Sequence, residues 1–178
     1  MPKFIRYFLN YVQQASEAGF AFLFYWLFRS LPIDISSGLA GWIARNIGPK
    51  LKVSMVAQQN LKRAFPEITP QDLKRTITEM WDNLGRVVGE YPHLPILLKQ
   101  GGGRRVEIIG AEHIDMLRDD NKPGIFFMAH IGNWEFSGLA SEARNLPVDR
   151  VYRQANNPLT EWLLRRGRAG VDGTLIPK

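Results

Sequence analysis

The chain of 178 residues is long enough for one folded domain, or for one domain with an appendage. It contains no cysteine, which excludes a disulfide scaffold, a zinc–thiolate site and a cysteine acyl-enzyme. Its formal net charge of +6 implies an anionic partner, and charge alone leaves open nucleic acid, anionic lipid, an acidic carrier protein and a phosphorylated substrate.

Residues 1–31 are predicted to form a membrane-anchoring helix. The apolar run at residues 18–28 is shorter than the roughly 20 residues that a crossing needs, but the amphipathic segment before it extends the stretch to that length. Basic residues lie on both sides, so the positive-inside rule gives no direction of crossing. A helix in the cytoplasmic leaflet and a single crossing fit equally, and the alternative is a buried core helix of a soluble bundle.

Residues 32–100 are predicted to be helical. Ser36 and Ser37 are expected to cap one helix, and Thr69 followed by Pro70 marks another helix start, with Thr as the cap and Pro at the first position. The predicted helices cover residues 38–48, 53–64 and 70–91. Three glycines at residues 101–103 are not followed by Lys-Ser/Thr, so we predict a linker there rather than a phosphate-binding loop.

The helix predicted at residues 70–91 has a clear amphipathic pattern. Asn83, Arg86 and Glu90 lie on its polar face and are expected to be solvated. The apolar stripe, which is expected to pack in the core, consists of Leu73, Ile77, Met80, Trp81, Leu84, Val87 and Val88.

Residues 101–178 are predicted to form an α/β part, because short strands and helices alternate along the chain. This order favours a parallel or mixed sheet with helices on its faces. The predicted strands cover residues 105–109, 124–129, 148–152 and 173–176, and the predicted helices cover residues 111–118, 133–144 and 158–168.

The apolar stretch at residues 124–129 is read as a buried parallel strand with His130 at its carboxyl end, where ligands bind in open α/β sheets. Glu135 follows five residues after His130, a spacing that separates two side chains on a regular helix. The two can meet if the chain turns at Gly132 and Asn133 caps a helix whose first turn carries Glu135. Glu135 would then orient the imidazole as a general base, and the alternative is a purely structural pair.

Several motifs together resemble one known family, the lipid A biosynthesis late acyltransferases of the lysophospholipid acyltransferase superfamily. They are Ala-His-Ile-Gly-Asn-Trp-Glu at 129–135, Val-Tyr-Arg at 151–153, Asn-Pro-Leu at 157–159 and the segment 53–66. The resemblance implies a glycerolipid acyltransferase-like α/β fold in which membrane-associated N-terminal helices precede the sheet. Because that family continues with further strands, we interpret the α/β part as incomplete at the C-terminus.

The resemblance also implies a reaction, in which a fatty acyl chain passes from acyl carrier protein to a hydroxyl of a lipid A precursor at the cytoplasmic face of the bacterial inner membrane. His130 would be the general base, oriented by Glu135. Backbone N–H groups near Gly132 and Asn133, or an arginine, would stabilise the oxyanion. Arg153 is the best candidate for a phosphate of the glycolipid or of the carrier's phosphopantetheine. The weaker candidates are Arg165, Arg166 and Arg168. No metal or cofactor is implied.

Other functions fit the sequence less well. A nucleic-acid module would interleave aromatic residues with Lys and Arg, whereas here they lie in the apolar run and the core stripes. A metal hydrolase needs at least three ligands, and His93 and His113 are not at a ligand spacing. Ser137 is not in a G-x-S-x-G elbow, so a serine acyl-enzyme is not evident. An acyltransferase for another glycolipid or phospholipid, and a membrane-associated fragment without activity, remain open.

Overall fold

Helices make up most of the protein, and a small parallel sheet lies in its C-terminal part. The structure, a computed structural model, describes residues 3–99, 105–168 and 173–178. The helices are α1 (Lys3–Ser30), α2 (Ile33–Ile47), α3 (Ser54–Ala64), α4 (Pro70–Glu90), α5 (Leu94–Lys99), α6 (Glu112–Asp119), α7 (Ser137–Glu142) and α8 (Pro158–Gly167). The strands are β1 (Arg150–Tyr152) and β2 (Leu175–Pro177), and short 3-10 turns include Gly48–Lys50, Tyr91–His93 and Trp134–Phe136. The predicted linker at 101–103 lies outside the described residues.

The sheet confirms the predicted α/β class in a reduced form. β1 and β2 pair in parallel, with Val151 opposite Ile176. Two of the predicted strands are therefore present, but those at 105–109 and 124–129 are wrong, because residues 106–108 and 123–129 have irregular backbone. Ile125 and Phe127 are 78% and 90% exposed. An apolar run forms a buried strand when neighbouring elements cover its side chains and pair its backbone groups, and in the described chain this run lacks that cover.

Two predicted helix starts also need correction. Ser36 and Ser37 do not precede α2 as caps but lie inside it, and both side chains are buried. The regular helix predicted from Asn133 begins at Ser137, after the 3-10 turn at Trp134–Phe136. By contrast, Thr69 caps α4 as predicted, since its hydroxyl accepts a hydrogen bond from the Asp72 N–H.

The chain divides into two compact units. One consists of Met1–Leu27, Pro92–His130 and Trp134–Lys178, and the other of Phe28–Tyr91 and Ile131–Asn133. We refer to these as the sheet unit and the α2–α4 unit.

Small residues bring α2 and α4 into close contact in the α2–α4 unit. A Cβ atom at Gly85 would lie 2.6 Å from the Cβ of Ala44, and one at Gly89 would lie 2.7 Å from the Cβ of Ala40. Ile77 is buried, as predicted. Other residues of the predicted apolar stripe are exposed instead: Met80, Leu84 and Val88. We predicted that the large side chains of this helix form its core face. In the structure, the face that carries Gly85 and Gly89 packs against α2 instead.

In the sheet unit, α1 contacts α8 and the residue before it at two places. The rings of Phe22 and Trp162 stack with their centroids 5.8 Å apart, and the Asn157 side chain donates to the Gln14 carbonyl at 2.7 Å. The helix predicted at residues 1–31 is present as α1. In the described part of the chain, however, no helix combines the length and the apolar character that a bilayer crossing requires.

Candidate active site

The His130 to Glu135 motif is divided between the two units. His130 and the segment from Trp134 belong to the sheet unit, whereas Ile131–Asn133 belong to the α2–α4 unit. His130 follows the irregular segment at 123–129 and is exposed, so it does not stand at the end of a buried strand as predicted. Its ring packs edge-on against Trp134, with centroids 4.8 Å apart and planes at 61°.

Glu135 is held by a partly buried ion pair. It lies in the 3-10 turn at Trp134–Phe136, and its side chain is 9% exposed. Arg168, the C-cap residue of α8, donates from Nε to Oε2 at 2.9 Å and from Nη2 to Oε1 at 2.6 Å. This is the bidentate fork geometry that guanidinium and carboxylate groups form at their strongest. The Glu135 carboxylate is therefore fixed by a residue 33 positions away in sequence.

Arg168 also contacts β1. Its guanidinium carbon lies 5.7 Å from the centre of the Tyr152 ring, within the range of a cation–π contact. Arg168 was one of three weaker candidates for phosphate binding, and its pairing with Glu135 was not predicted. The sequence does show several arginines at the end of α8, but it does not show which acidic residue Arg168 pairs with.

Glu161 fixes the segment that follows β1. Its carboxylate accepts from the Tyr152 hydroxyl at 2.6 Å and from the Ala155 N–H at 2.9 Å, and Arg165 lies 3.3 Å away. Burial alone would raise the pKa of Glu161, but the hydrogen bonds from Tyr152 and Ala155 and the charges of Arg165 and Arg168 outweigh it and lower the pKa. Glu161 is therefore a structural anion that holds residues 152–155 in place.

Of the four arginines considered for phosphate binding, Arg153 and Arg166 lie in different settings. Arg153 follows β1 directly, as predicted, and is exposed. Arg166 is also exposed and lies over the Trp162 ring, with its guanidinium carbon 5.4 Å from the ring centre. Both can present N–H donors to an anion from solvent.

Gly132 and Asn133 are anchored within the α2–α4 unit. Gly132 has a φ of 57°, the left-handed conformation that glycine favours, so the predicted turn is present. Its carbonyl accepts from the Asn83 side chain at 3.2 Å. The side-chain amide of Asn133 donates to one oxygen of the Glu90 carboxylate at 2.7 Å, and the Ser37 hydroxyl donates to the other oxygen at 2.7 Å.

Glu90 was predicted to be solvated, and this is wrong. Its carboxylate is partly buried and joins α2 to the loop that carries Asn133. The polar side of an amphipathic helix is solvated only where nothing packs on it, and here a loop covers the end of α4.

Among the residues that the structure describes, groups of three or more His, Asp or Glu side chains placed to hold a metal ion are absent.

Comparison with known proteins identifies the family. The chain matches the family model described as bacterial lipid A biosynthesis acyltransferase over residues 3–178, and it belongs to that family. It is 29% identical to a lipid A biosynthesis acyltransferase of Haemophilus influenzae over 138 residues, which cover 77% of this chain and 43% of the relative. The resemblance found in the sequence motifs is thereby confirmed.

Two relatives from Escherichia coli are each 25% identical to the chain. One is a lipid A biosynthesis lauroyltransferase, with 86% of this chain and 50% of the relative covered. The other is a lipid A biosynthesis palmitoleoyltransferase, with 98% of this chain and 56% of the relative covered. The chain thus spans about half the length of the curated relatives it matches. No solved structure matches it significantly.

Proposed function

We propose that the protein to which this chain belongs transfers a fatty acyl group from an acyl carrier protein thioester to a hydroxyl of a lipid A precursor. The observation that supports this most is the family match over almost the whole described chain, combined with an exposed His130 and a fixed Glu135 at the spacing of the motif. The names of the relatives from two bacterial species agree with lipid A as the end product.

In the proposed mechanism His130 is the general base. Its imidazole takes the proton of the acceptor hydroxyl as the oxygen attacks the thioester carbonyl. The tetrahedral intermediate then collapses and expels the phosphopantetheine thiolate, which takes the proton from the imidazolium. The products are an ester and a free carrier thiol.

Glu135 is proposed to orient His130 and to stabilise its protonated form. A carboxylate has about four lone-pair sites, and the Arg168 fork occupies one site on each oxygen. We propose that an imidazole N–H of His130 donates to the same carboxylate. The same carboxylate can therefore serve the ion pair and the dyad together.

Anion binding and oxyanion stabilisation complete the proposal. The exposed guanidinium groups of Arg153 and Arg166 are proposed to bind phosphate of the glycolipid or of the carrier's phosphopantetheine. The backbone N–H groups of Gly132 and Asn133 are proposed as oxyanion donors because they follow His130 directly in the motif. The net charge of +6 suits both an acidic carrier and an anionic lipid.

We further propose that the protein works at the cytoplasmic face of the bacterial inner membrane. α1 carries many exposed large apolar side chains, and Lys3 and Arg6 lie near its start. Helices with exposed aromatic side chains and basic residues bind anionic interfaces. The exposed aromatic residues of α1 include Phe4, Tyr7, Phe8, Tyr11, Phe20 and Trp26.

The proposal is tested by acyl transfer with the purified complete protein, an acyl carrier protein thioester as donor and a lipid A precursor as acceptor. We expect His130→Ala to lower kcat/KM by at least about 100-fold, since a positioned general base contributes about 10²–10⁴-fold. His113→Ala is the matched control, because His113 is an exposed histidine of α6, and it should stay within about twofold of the wild type. Full transfer by His130→Ala would overturn the mechanism.

A further inference from the structure

Arg168 contacts both the Glu135 carboxylate and Tyr152 in the strand preceding Arg153. It donates two hydrogen bonds to Glu135, and its guanidinium lies over the Tyr152 ring. The Arg168 and Glu135 side chains are 19% and 9% exposed, so the pair is largely screened from water. A pair with this burial and geometry fixes both partners more firmly than a surface ion pair does.

We propose that Arg168 is a positioning residue for acyl transfer, which holds the Glu135 carboxylate at the angle from which it orients His130. This inference rests on the function proposed above. Arg168 acts through Glu135 and does not touch the substrate.

The geometry favours positioning over phosphate binding for this arginine. Two of the guanidinium N–H groups are directed at Glu135, and one face of the group lies over Tyr152. Arg153 and Arg166 differ from it, since both are exposed. A phosphate drawn to Arg168 would have to compete with a carboxylate that already has the bidentate arrangement.

The same geometry explains why position 168 needs an arginine and not a lysine. A planar guanidinium supplies two parallel N–H donors and can lie flat over an aromatic ring, whereas a lysine ammonium is a single charged point on a flexible chain. Lysine at position 168 would keep the charge and one hydrogen bond to Glu135, but the carboxylate could then rotate. The orientation of Glu135 should therefore respond to Arg168→Lys, even though the charge is kept.

The test measures kcat and the KM of both substrates in the complete protein for the wild type, Arg168→Gln, Arg168→Lys, Glu135→Gln and the double variant Arg168→Gln/Glu135→Gln. We expect Arg168→Gln to lower kcat by about 10- to 100-fold, the range found for residues that orient a functional ligand. Both KM values should stay within about threefold, because substrate binding is untouched. Arg75→Gln, which breaks an exposed ion pair with Asp72, is the control and should leave kcat within about twofold.

The double variant separates positioning from an independent role. If Arg168 acts through Glu135, the double variant should match Glu135→Gln within about threefold, because residues that act as a unit are not additive. A loss equal to the product of the two single losses would overturn the proposal. So would a higher KM for the lipid or the carrier with unchanged kcat, since that result identifies a binding residue.

Arg168→Lys keeps the proposal testable if Arg168→Gln does not fold. We expect the lysine variant to keep its Tm within a few degrees and to lose about 10-fold in kcat. A lysine variant with wild-type kcat would overturn the proposal. A protein that transfers no acyl chain in its wild-type form, or that keeps full activity as His130→Ala, would instead refute the proposed function, so the two failures are distinct.

Discussion

Two partly buried carboxylates of the sheet unit, those of Glu135 and Glu161, are held by hydrogen bonds from groups on or next to α8 and β1. Glu135 accepts both of its described hydrogen bonds from Arg168, whereas Glu161 accepts from the Tyr152 hydroxyl and the Ala155 N–H. Each carboxylate is therefore compensated on burial, as buried charges must be. The difference lies in their sequence context, because Glu135 belongs to the motif with His130 and Glu161 does not.

Glu161 should make stability depend on pH. Its pKa in the folded protein is below the ordinary value of 4.5, so its contribution is fully present above that value and is lost as the pH falls through the folded pKa. We expect Glu161→Gln to unfold more easily than the wild type at pH 7, by about 1–3 kcal/mol, the range for hydrogen bonds to a charged group. The difference should shrink when the pH falls below 4.5.

Denaturant unfolding of both proteins between pH 7 and pH 3 checks this dependence. Glu79→Gln is the control, because Glu79 is an exposed carboxylate on α4. A free-energy difference for Glu161→Gln that stays constant over the whole range would contradict the assigned role.

At the residue scale, the turn at Gly132 and the place of Arg153 after a strand are confirmed, whereas the roles of His130 and Glu135 stay predictions. These predictions rest on the order of residues within short motifs of the sequence. The pairing of Glu135 with Arg168 joins residues 33 positions apart, and the contacts of Glu90 with Ser37 and Asn133 span 53 and 43 positions. Such pairs depend on tertiary packing, so periodicity and spacing do not reveal them.

At the scale of the elements, α2 and α4 can pack closely because the residues of α4 at their contact are glycines, which have no side chain. Gly85 and Gly89 face Ala40, Ala44 and Ser36, and the Ser36 hydroxyl donates to the Gly89 carbonyl at 2.5 Å. The helices can approach closely because a Cβ at either glycine would meet backbone or Cβ atoms of α2. Close packing of this kind tolerates little added volume.

Gly85→Ala and Gly38→Ala form a matched pair that tests this packing. The Cβ added at Gly85 would overlap the Ala40 carbonyl, so we expect the free energy of unfolding to fall by about 1–3 kcal/mol. Gly38 lies in the interior of α2, and a Cβ there has no heavy atom within 4 Å. Gly38→Ala should therefore raise the free energy of unfolding by about 0.5–1 kcal/mol. Equal effects of the two substitutions in denaturant unfolding would refute the close contact.

The helices were easier to predict than the strands for a physical reason. Thr69 with Pro70 and Asn157 with Pro158 mark the starts of α4 and α8, and those caps act within one turn. The strand at 124–129 was predicted from its apolar or small residues and from the loop signal at 119–123 before it. Whether an apolar run becomes a strand depends on partners elsewhere in the chain, and its local sequence carries no information about them.

At the scale of the whole molecule, the stretch from His130 to Glu135 contributes residues to both compact units. His130 and Glu135 belong to the sheet unit, and Gly132 and Asn133 belong to the α2–α4 unit. The family match extends over residues 3–178, whereas the chain spans about half the length of its curated relatives.

The central claim is that His130 drives acylation of a lipid A precursor, and mass spectrometry of lipid A tests it most directly. The measurement compares lipid A from the source bacterium, from a strain in which the gene is deleted, and from that strain carrying either the wild-type gene or His130→Ala. We predict that deletion removes one ester-linked acyl chain, that the wild-type gene restores it, and that His130→Ala does not. Unchanged lipid A after deletion, or full restoration by His130→Ala, would contradict the account.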